Sequence, residues 1–315
     1  MTYKKHLIIL LSIIGVLVLL YIGSIIFDYD MRSSRSSSYV WLDSKAAEKI
    51  SRIVVSTDNE IQIDFIKKND KWFSVTTGIE LPVRASRIDD FLGFLTTRSA
   101  WPVRSASASS HESFGLGDDS PRITIYGEQG VILDVLVGYD DLTERETFIR
   151  RAGQNEVRSG DNALKSFFAS SLTSWYNLRL IPESEEKNVN AGSIQRLTVY
   201  SENETRVFTR NSRRWDISGF TVLNPDFAGI ENYVANVLNM EGEDFIDDEK
   251  AAEYDFNYSR ITLEFGNGNI ITIRVSGPDE MNKRYAKVSN SNYNYVIPLW
   301  TTVRVFRSAE SFEVQ

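Results

Sequence analysis

The chain has 315 residues, of which 42% are hydrophobic and 25% charged, a composition of globular domains rather than of a disordered or collagen-like chain. Its formal net charge is −8, so it would be repelled by a phosphate backbone, and nucleic acid is not expected as a partner. It contains no cysteine, which removes disulfides, thiolate metal sites and thiol nucleophiles together.

The first element in the chain is an uncharged run from Leu7 to Phe27. As a helix rising about 1.5 Å per residue, it is long enough to cross the hydrocarbon core of a bilayer. Lys4 and Lys5 precede it and Asp28 and Asp30 follow it, with Arg32 and Arg35 also close by. On the positive-inside rule the short N-terminus lies in the cytoplasm and the bulk of the chain is extracytoplasmic. A signal peptide would have a shorter apolar core and end in small residues, whereas this run ends in Ile25-Ile26-Phe27-Asp28. The expectation is an uncleaved single-pass anchor over residues 1–28 in the cell (inner) membrane, followed by a tether over 29–45 that opens with the serine-rich stretch Met31 to Ser38.

Beyond the tether the chain is written twice. Arg122-Ile123-Thr124 recurs as Arg260-Ile261-Thr262, an offset of 138, which also brings Gly130 onto Gly268 and Val137 onto Val275. Trp72 falls on Trp215 and Pro82 on Pro225 at 143, and Ile53 falls on Leu197 at 144. Self-similarity at so long a period predicts two homologous modules, 46–180 and 190–315, joined by a charged linker at 181–189 that contains Pro182.

Each module opens with strands. Ile53-Val54-Val55 leads into Ile61, Ile63 and Phe65, which alternate with polar residues; the chain turns at Lys68 to Lys71 and returns through Trp72. A helix follows, with Ile88, Phe91, Leu92 and Leu95 on one stripe and Ser86 and Asp89 spaced as a capping box. Ile123 to Tyr126 then turns through Gly127-Glu128-Gln129-Gly130 into Val131 to Val135, a hairpin. Short strands follow near Phe148 to Arg150 and Glu156 to Arg158. A closing helix is expected to carry Leu164, Phe167, Phe168, Leu172 and Trp175 on one face. The second module repeats the order with Leu197 to Val199, Val207 to Thr209, Trp215, a helix bearing Ile230, Tyr233, Val234, Val237 and Leu238, and a hairpin around Gly266-Asn267-Gly268. The expected fold class is α+β: an N-terminal transmembrane helix and two tandem modules, each a mainly antiparallel sheet with about two helices.

Chemistry is sparse. The only histidine of the body is His111, which ends a serine-rich stretch and is most simply a solvated loop residue. The acidic run from Glu241 to Glu249 includes Asp247 and Asp248, but it lacks the spacing of a calcium loop and reads as a solvated face. No phosphate-cradling or dinucleotide motif is present, so no cofactor and no metal is expected. Trp72 and Trp215 occupy repeat-equivalent strand positions and read as shared core. Tyr293 and Tyr295 alternate with asparagines, have no counterpart in the first copy, and are the best candidates for an exposed aromatic pair. His111, Asp247, Asp248, Tyr293 and Tyr295 are thus the candidate partner-binding residues.

The order of short motifs carries a resemblance. Ile50-Ser51-Arg52-Ile53-Val54-Val55 precedes Lys71-Trp72 and Leu81-Pro82-Val83; then come Ser113-Phe114-Gly115-Leu116, Pro121-Arg122-Ile123-Thr124 and Leu136-Val137-Gly138. Behind a membrane helix, this order resembles the domain of unknown function 4340 family, uncharacterised bacterial membrane-anchored proteins often encoded beside gliding-motility-type ABC transporters. In the second copy Tyr254-Asp255-Phe256 replaces the Phe-Gly-Leu step. The resemblance implies a role auxiliary to ABC transporter subunits and brings no catalytic residues. The expected function is a membrane-anchored, non-enzymatic binding protein; the alternative is a cell-envelope glycan-binding module that uses Tyr293 and Tyr295.

Overall fold

The computed structural model describes residues 14–22, 38–57, 60–168, 171–182, 189–201, 204–212 and 214–314. Residues 14–22 are helical with exposed apolar side chains; the rest of the Leu7–Phe27 run, residues 29–37 of the tether and 183–188 of the linker lie outside the described residues. Among the described residues no helix is long and apolar enough to cross a membrane. The chain divides into two compact units, Met1–Tyr176 and Asn177–Gln315. Both are of the α+β class, dominated by antiparallel sheet.

In the first unit, β1 (Ser38–Tyr39) pairs with β6 (Ser99–Ala100). The main sheet is built from β2 (Ile50–Thr57), β3 (Glu60–Lys68), β4 (Lys71–Ser74), β5 (Leu81–Pro82), β7 (Val103–Ser105), β8 (Arg122–Gly127), β9 (Gly130–Asp140), β10 (Glu146–Arg151) and β11 (Val157–Asp161). Its order is β5-β4-β3-β2-β8-β9-β10-β11-β7. Residues 38–45, read above as the end of the tether, are folded into this unit: Trp41 and Leu42 are buried, and Asp43 caps α1 (Ser44–Ala47). Helix α2 (Ala85–Thr96) buries Ile88, Phe91 and Leu95 against Ile53, Phe65, Ile125 and Val135 of the sheet. The expected capping box is not formed, because the helix begins two residues earlier than that box requires, with Arg84 as N-cap and no side-chain cap. Nor do the described residues form one closing helix. The described residues form a single short turn, α3 (Ala163–Ser166), and a 3-10 turn at Leu172–Trp175. Their aromatic side chains still share a face: Phe167, Phe168 and Trp175 all pack around Phe91 at ring separations of 5.5 to 6.1 Å.

In the second unit the sheet order is β14-β13-β12-β16-β17-β18-β19-β15, from β12 (Ile194–Ser201), β13 (Glu204–Asn211), β14 (Arg214–Ser218), β15 (Asp244–Ile246), β16 (Ser259–Phe265), β17 (Ile270–Val275), β18 (Arg284–Val288) and β19 (Asn294–Ile297). Helix α4 (Phe227–Leu238) buries Ile230, Tyr233, Val234, Val237 and Leu238, the five residues of the predicted stripe. Leu180 and Ile181 join this core. Two further helices are α5 (Asp248–Ala251) and α6 (Leu299–Val305). The hairpin glycines Gly130 and Gly268 have φ of 118° and 82°, the left-handed region that a Cβ would disfavour.

The central strand pairs of the two sheets share a register. Ile53 faces Ile125 in the first and Leu197 faces Leu263 in the second, and both pairs carry a register shift near the start of the strand, between Ile50 and Arg52 and between Ile194 and Arg196. Trp72 and Trp215 are both buried, as expected of shared core.

Candidate partner-binding surface

His111, Asp247 and Asp248 lie in the segments that cover the sheets. In the first unit, two 3-10 turns at Ala108–Ser110 and Glu112–Phe114 lie over β9 and β10, with Phe114 against Phe148 at 4.6 Å. Arg150, itself buried, donates from Nη2 to the Leu116 carbonyl at 3.0 Å. His111 belongs to this cover, its Nε2 lying 3.1 Å from the Asn155 carbonyl. In the second unit, α5 with Tyr254 and Phe256 covers the corresponding strands, and Tyr254 stacks on Tyr285 at 3.9 Å. Asp247 caps α5 by accepting from the Lys250 amide at 2.7 Å. Asp248 accepts from Asn294 Nδ2 at 2.8 Å and so ties the helix to β19.

Tyr293 and Tyr295 do not form an exposed pair. β19 is not an edge strand, since it pairs with β18 on one side and β15 on the other. Tyr295 is only 2% exposed, packs on Phe245 at 5.2 Å and shares a hydrogen bond with Ser291 Oγ at 3.0 Å. Burial pushes its phenol pKa up. Tyr293 is half-buried against the same Phe245. A sugar-stacking surface built on both rings is therefore absent, because the two positions share one side of the chain and that side packs on Phe245.

One exposed apolar surface lies on α6. Pro298 opens the helix, and Thr301, Thr302 and Val305 face inward; the Val305 carbonyl accepts from the buried Tyr233 hydroxyl at 2.7 Å. This fixes the opposite face outward, and Leu299, Trp300 and Val303 are 59%, 54% and 63% exposed. They stand at i, i+1 and i+4, neighbours on one side of a helix. The Trp300 ring is held by Arg304, whose guanidinium carbon is 5.6 Å from the ring centre and whose Nη2 donates to Asn236 Oδ1 at 2.9 Å. Beside the ring runs an open groove of about 240 Å³ floored by Met240. A tryptophan and an arginine beside aliphatic residues are the side chains that dominate protein interfaces. Sequence reasoning passed over this face, although the pattern Leu299-Trp300-x-x-Val303 beside an inward Thr301, Thr302 and Val305 is a helix with apolar residues on two sides, one more than burial in a single core needs.

Among the described residues no group of three or more His, Asp or Glu side chains could hold a metal ion. The strongest carboxylate perturbation lies elsewhere, at Asp141 in the β9–β10 turn.

The fold thus defines a class: an α+β protein dominated by extended antiparallel sheets. The chain belongs to the family described as Domain of unknown function (DUF4340), whose family model matches residues 72–259. Comparison with curated proteins and with solved structures finds no match.

Proposed function

We propose that this is a membrane-anchored, extracytoplasmic, non-enzymatic binding protein, built from two copies of one sheet module, whose partner is a protein subunit of a membrane transport assembly. The observation that carries partner binding is the exposed face of Leu299, Trp300 and Val303 with Arg304 at its margin. The anchor is supported by the uncharged run Leu7 to Phe27. Duplication is supported by the registers: the pairs Ile53–Ile125 and Leu197–Leu263 are related by the same offsets, 144 and 138, that relate the sequences. The identity of the partner as an ABC transport assembly follows from the family resemblance.

The test is site-specific photocrosslinking from position 303 in intact membranes, followed by purification. ABC transporter subunits should be recovered, and Trp300→Ala should reduce their yield by roughly thirtyfold, the loss expected for an interfacial tryptophan worth about 2 kcal/mol. Recovery of the protein alone, with Trp300→Ala still fully folded, would overturn the proposal.

A further inference from the structure

In the first unit the outer edge of β4 is covered by the chain's own strand. Phe73 stands opposite Pro82 and Ser74 opposite Leu81, and the Val83 amide donates to the Trp72 carbonyl at 2.9 Å. The same short segment is tied on its far side, where the Arg84 amide donates to the Trp175 carbonyl at 2.8 Å. Leu81 and Val83 are both buried, while Pro82 between them is half-exposed.

The second unit keeps the far contact and lacks the near one. The Asp226 amide donates to the Phe312 carbonyl and the Val314 amide to the Asn224 carbonyl, both at 2.9 Å, and Pro225 bridges Glu313. β14 ends its sheet and pairs only with β13; among the described residues no strand or isolated bridge covers its outer edge. Where β5 lies in the first unit, the second has an open groove of about 650 Å³. Its wall includes the consecutive residues Arg214, Trp215, Asp216 and Ile217. Side chains of a strand alternate between faces, so a groove that touches four in succession runs along the strand's edge. The far wall is largely apolar, with Phe220, Val222 and Pro225, and Phe227, which also lines it, is 39% exposed.

We propose that the edge of β14 is a strand-addition site that takes an extended, proline-containing segment of a partner polypeptide with no net charge, of the Leu-Pro-Val kind that the first unit lays on its own β4. The outward carbonyl of Trp215 stands where that of Trp72 stands, and it accepts the amide of the residue two places after the leucine. The alternate apolar side chains of the segment then close over Ile217, Phe220 and Val222, which already pack on the core rim. Arg214 and Asp216 place one charge of each sign along the strand, which favours a segment without net charge. An uncovered strand edge is otherwise a liability. The proposal rests on the partner-binding reading but uses a different surface from α6, so the two fail independently.

The probe is a fluorescent synthetic peptide carrying residues Ile79 to Arg84 of this chain, added to the detergent-solubilised full-length protein. Saturable binding is expected, with new hydrogen-exchange protection at 214–218 and none at 71–74. Methylating the peptide nitrogen at the Val83 position removes one main-chain hydrogen bond without touching the protein, and should weaken binding by roughly tenfold. Trp300→Ala should leave peptide binding unchanged even where it abolishes crosslinking to the transporter. Absence of binding at millimolar peptide, binding insensitive to N-methylation, or protection at 214–218 that arises from dimerisation without peptide would each overturn it.

Discussion

The Trp215 indole N–H donates to Glu231 Oε2 at 2.5 Å, and this bond fastens α4 to the edge of the second sheet. Arg210 completes the clamp: its Nη2 donates to Glu231 Oε1 at 2.8 Å while its guanidinium lies 4.4 Å from the Trp215 ring centre. Desolvation acts to raise the Glu231 pKa, but the hydrogen bonds from Arg210 and Trp215 outweigh it and hold the carboxyl below its ordinary range.

Removing the donor while keeping the ring isolates that clamp. Trp215→Phe should cost about 1 kcal/mol in chemical denaturation, the lower end for a bond to a charged group because Glu231 is 46% exposed. The depressed native pKa makes the ionised carboxylate the stabilising form, so its contribution is complete above the ordinary carboxyl range and is lost as pH falls through the native value. Comparing wild type with Glu231→Gln from pH 6 downward should show the stability gap closing in acid. A gap that stays constant would dismiss the clamp.

Two glycines should respond in opposite directions to alanine. At Gly160 an added Cβ would lie 2.4 Å from Cε3 of the buried Trp101 ring, which has nowhere to move. Gly160→Ala should therefore destabilise by about 1–3 kcal/mol. At Gly93, within α2, the Cβ meets nothing within 4 Å. Gly93→Ala should stabilise by about 0.5–1 kcal/mol through helix propensity. Thermal melts of the two variants provide the check.

Asp141 should titrate below the ordinary carboxyl range. Its carboxylate accepts the Glu146 amide at 3.0 Å, the Thr143 hydroxyl at 2.7 Å and the Arg145 amide at 3.0 Å. These bonds, the Glu146 amide foremost, lower its pKa from 3.8 to about 2. Because the shift is downward, the turn's stabilisation is present above about pH 4 and disappears as pH approaches 2. A carbon-detected NMR titration should place the midpoint near 2; a midpoint near 4 would mean that the turn does not hold its hydrogen bonds in solution.

Phe91 sits at the centre of the first unit's aromatic cluster, fully buried between the sheet and Phe167, Phe168 and Trp175. Phe91→Ala should cost about 3–5 kcal/mol. Exposure of Trp175 should accompany it, seen as a red shift of tryptophan emission in mild denaturant.

Local patterns were legible in the sequence; partners across space were not. The stripe from Ile230 to Leu238, the glycine hairpins and the burial of Trp72 and Trp215 all follow from periodicity and turn chemistry, which act within a few residues. Tyr295 misled because alternation says that one face differs from the other, not which face is wet, and β15 closes that side of β19 from fifty residues upstream. The Ser86–Asp89 spacing misled because the helix start depends on where Arg84 is pinned by Trp175. The groove beside β14 was invisible for the same reason: Pro82 and Pro225 match in sequence, and the difference between them is the main-chain partner each segment finds.

The arrangement of the two sheets also bears on how the chain reaches them. Each joins two local meanders along a central seam, β2 to β8 in the first and β12 to β16 in the second, and adds one strand from earlier in the chain, β7 or β15, at the far edge. The strands of a seam are separated by about 70 residues, and the amphipathic helix, α2 or α4, lies inside the loop that must close. Neither meander has its apolar face covered until that loop shuts, so helix docking and seam formation are one event. Each unit therefore closes its seam over a loop of moderate length, and no sheet pairing spans the whole chain.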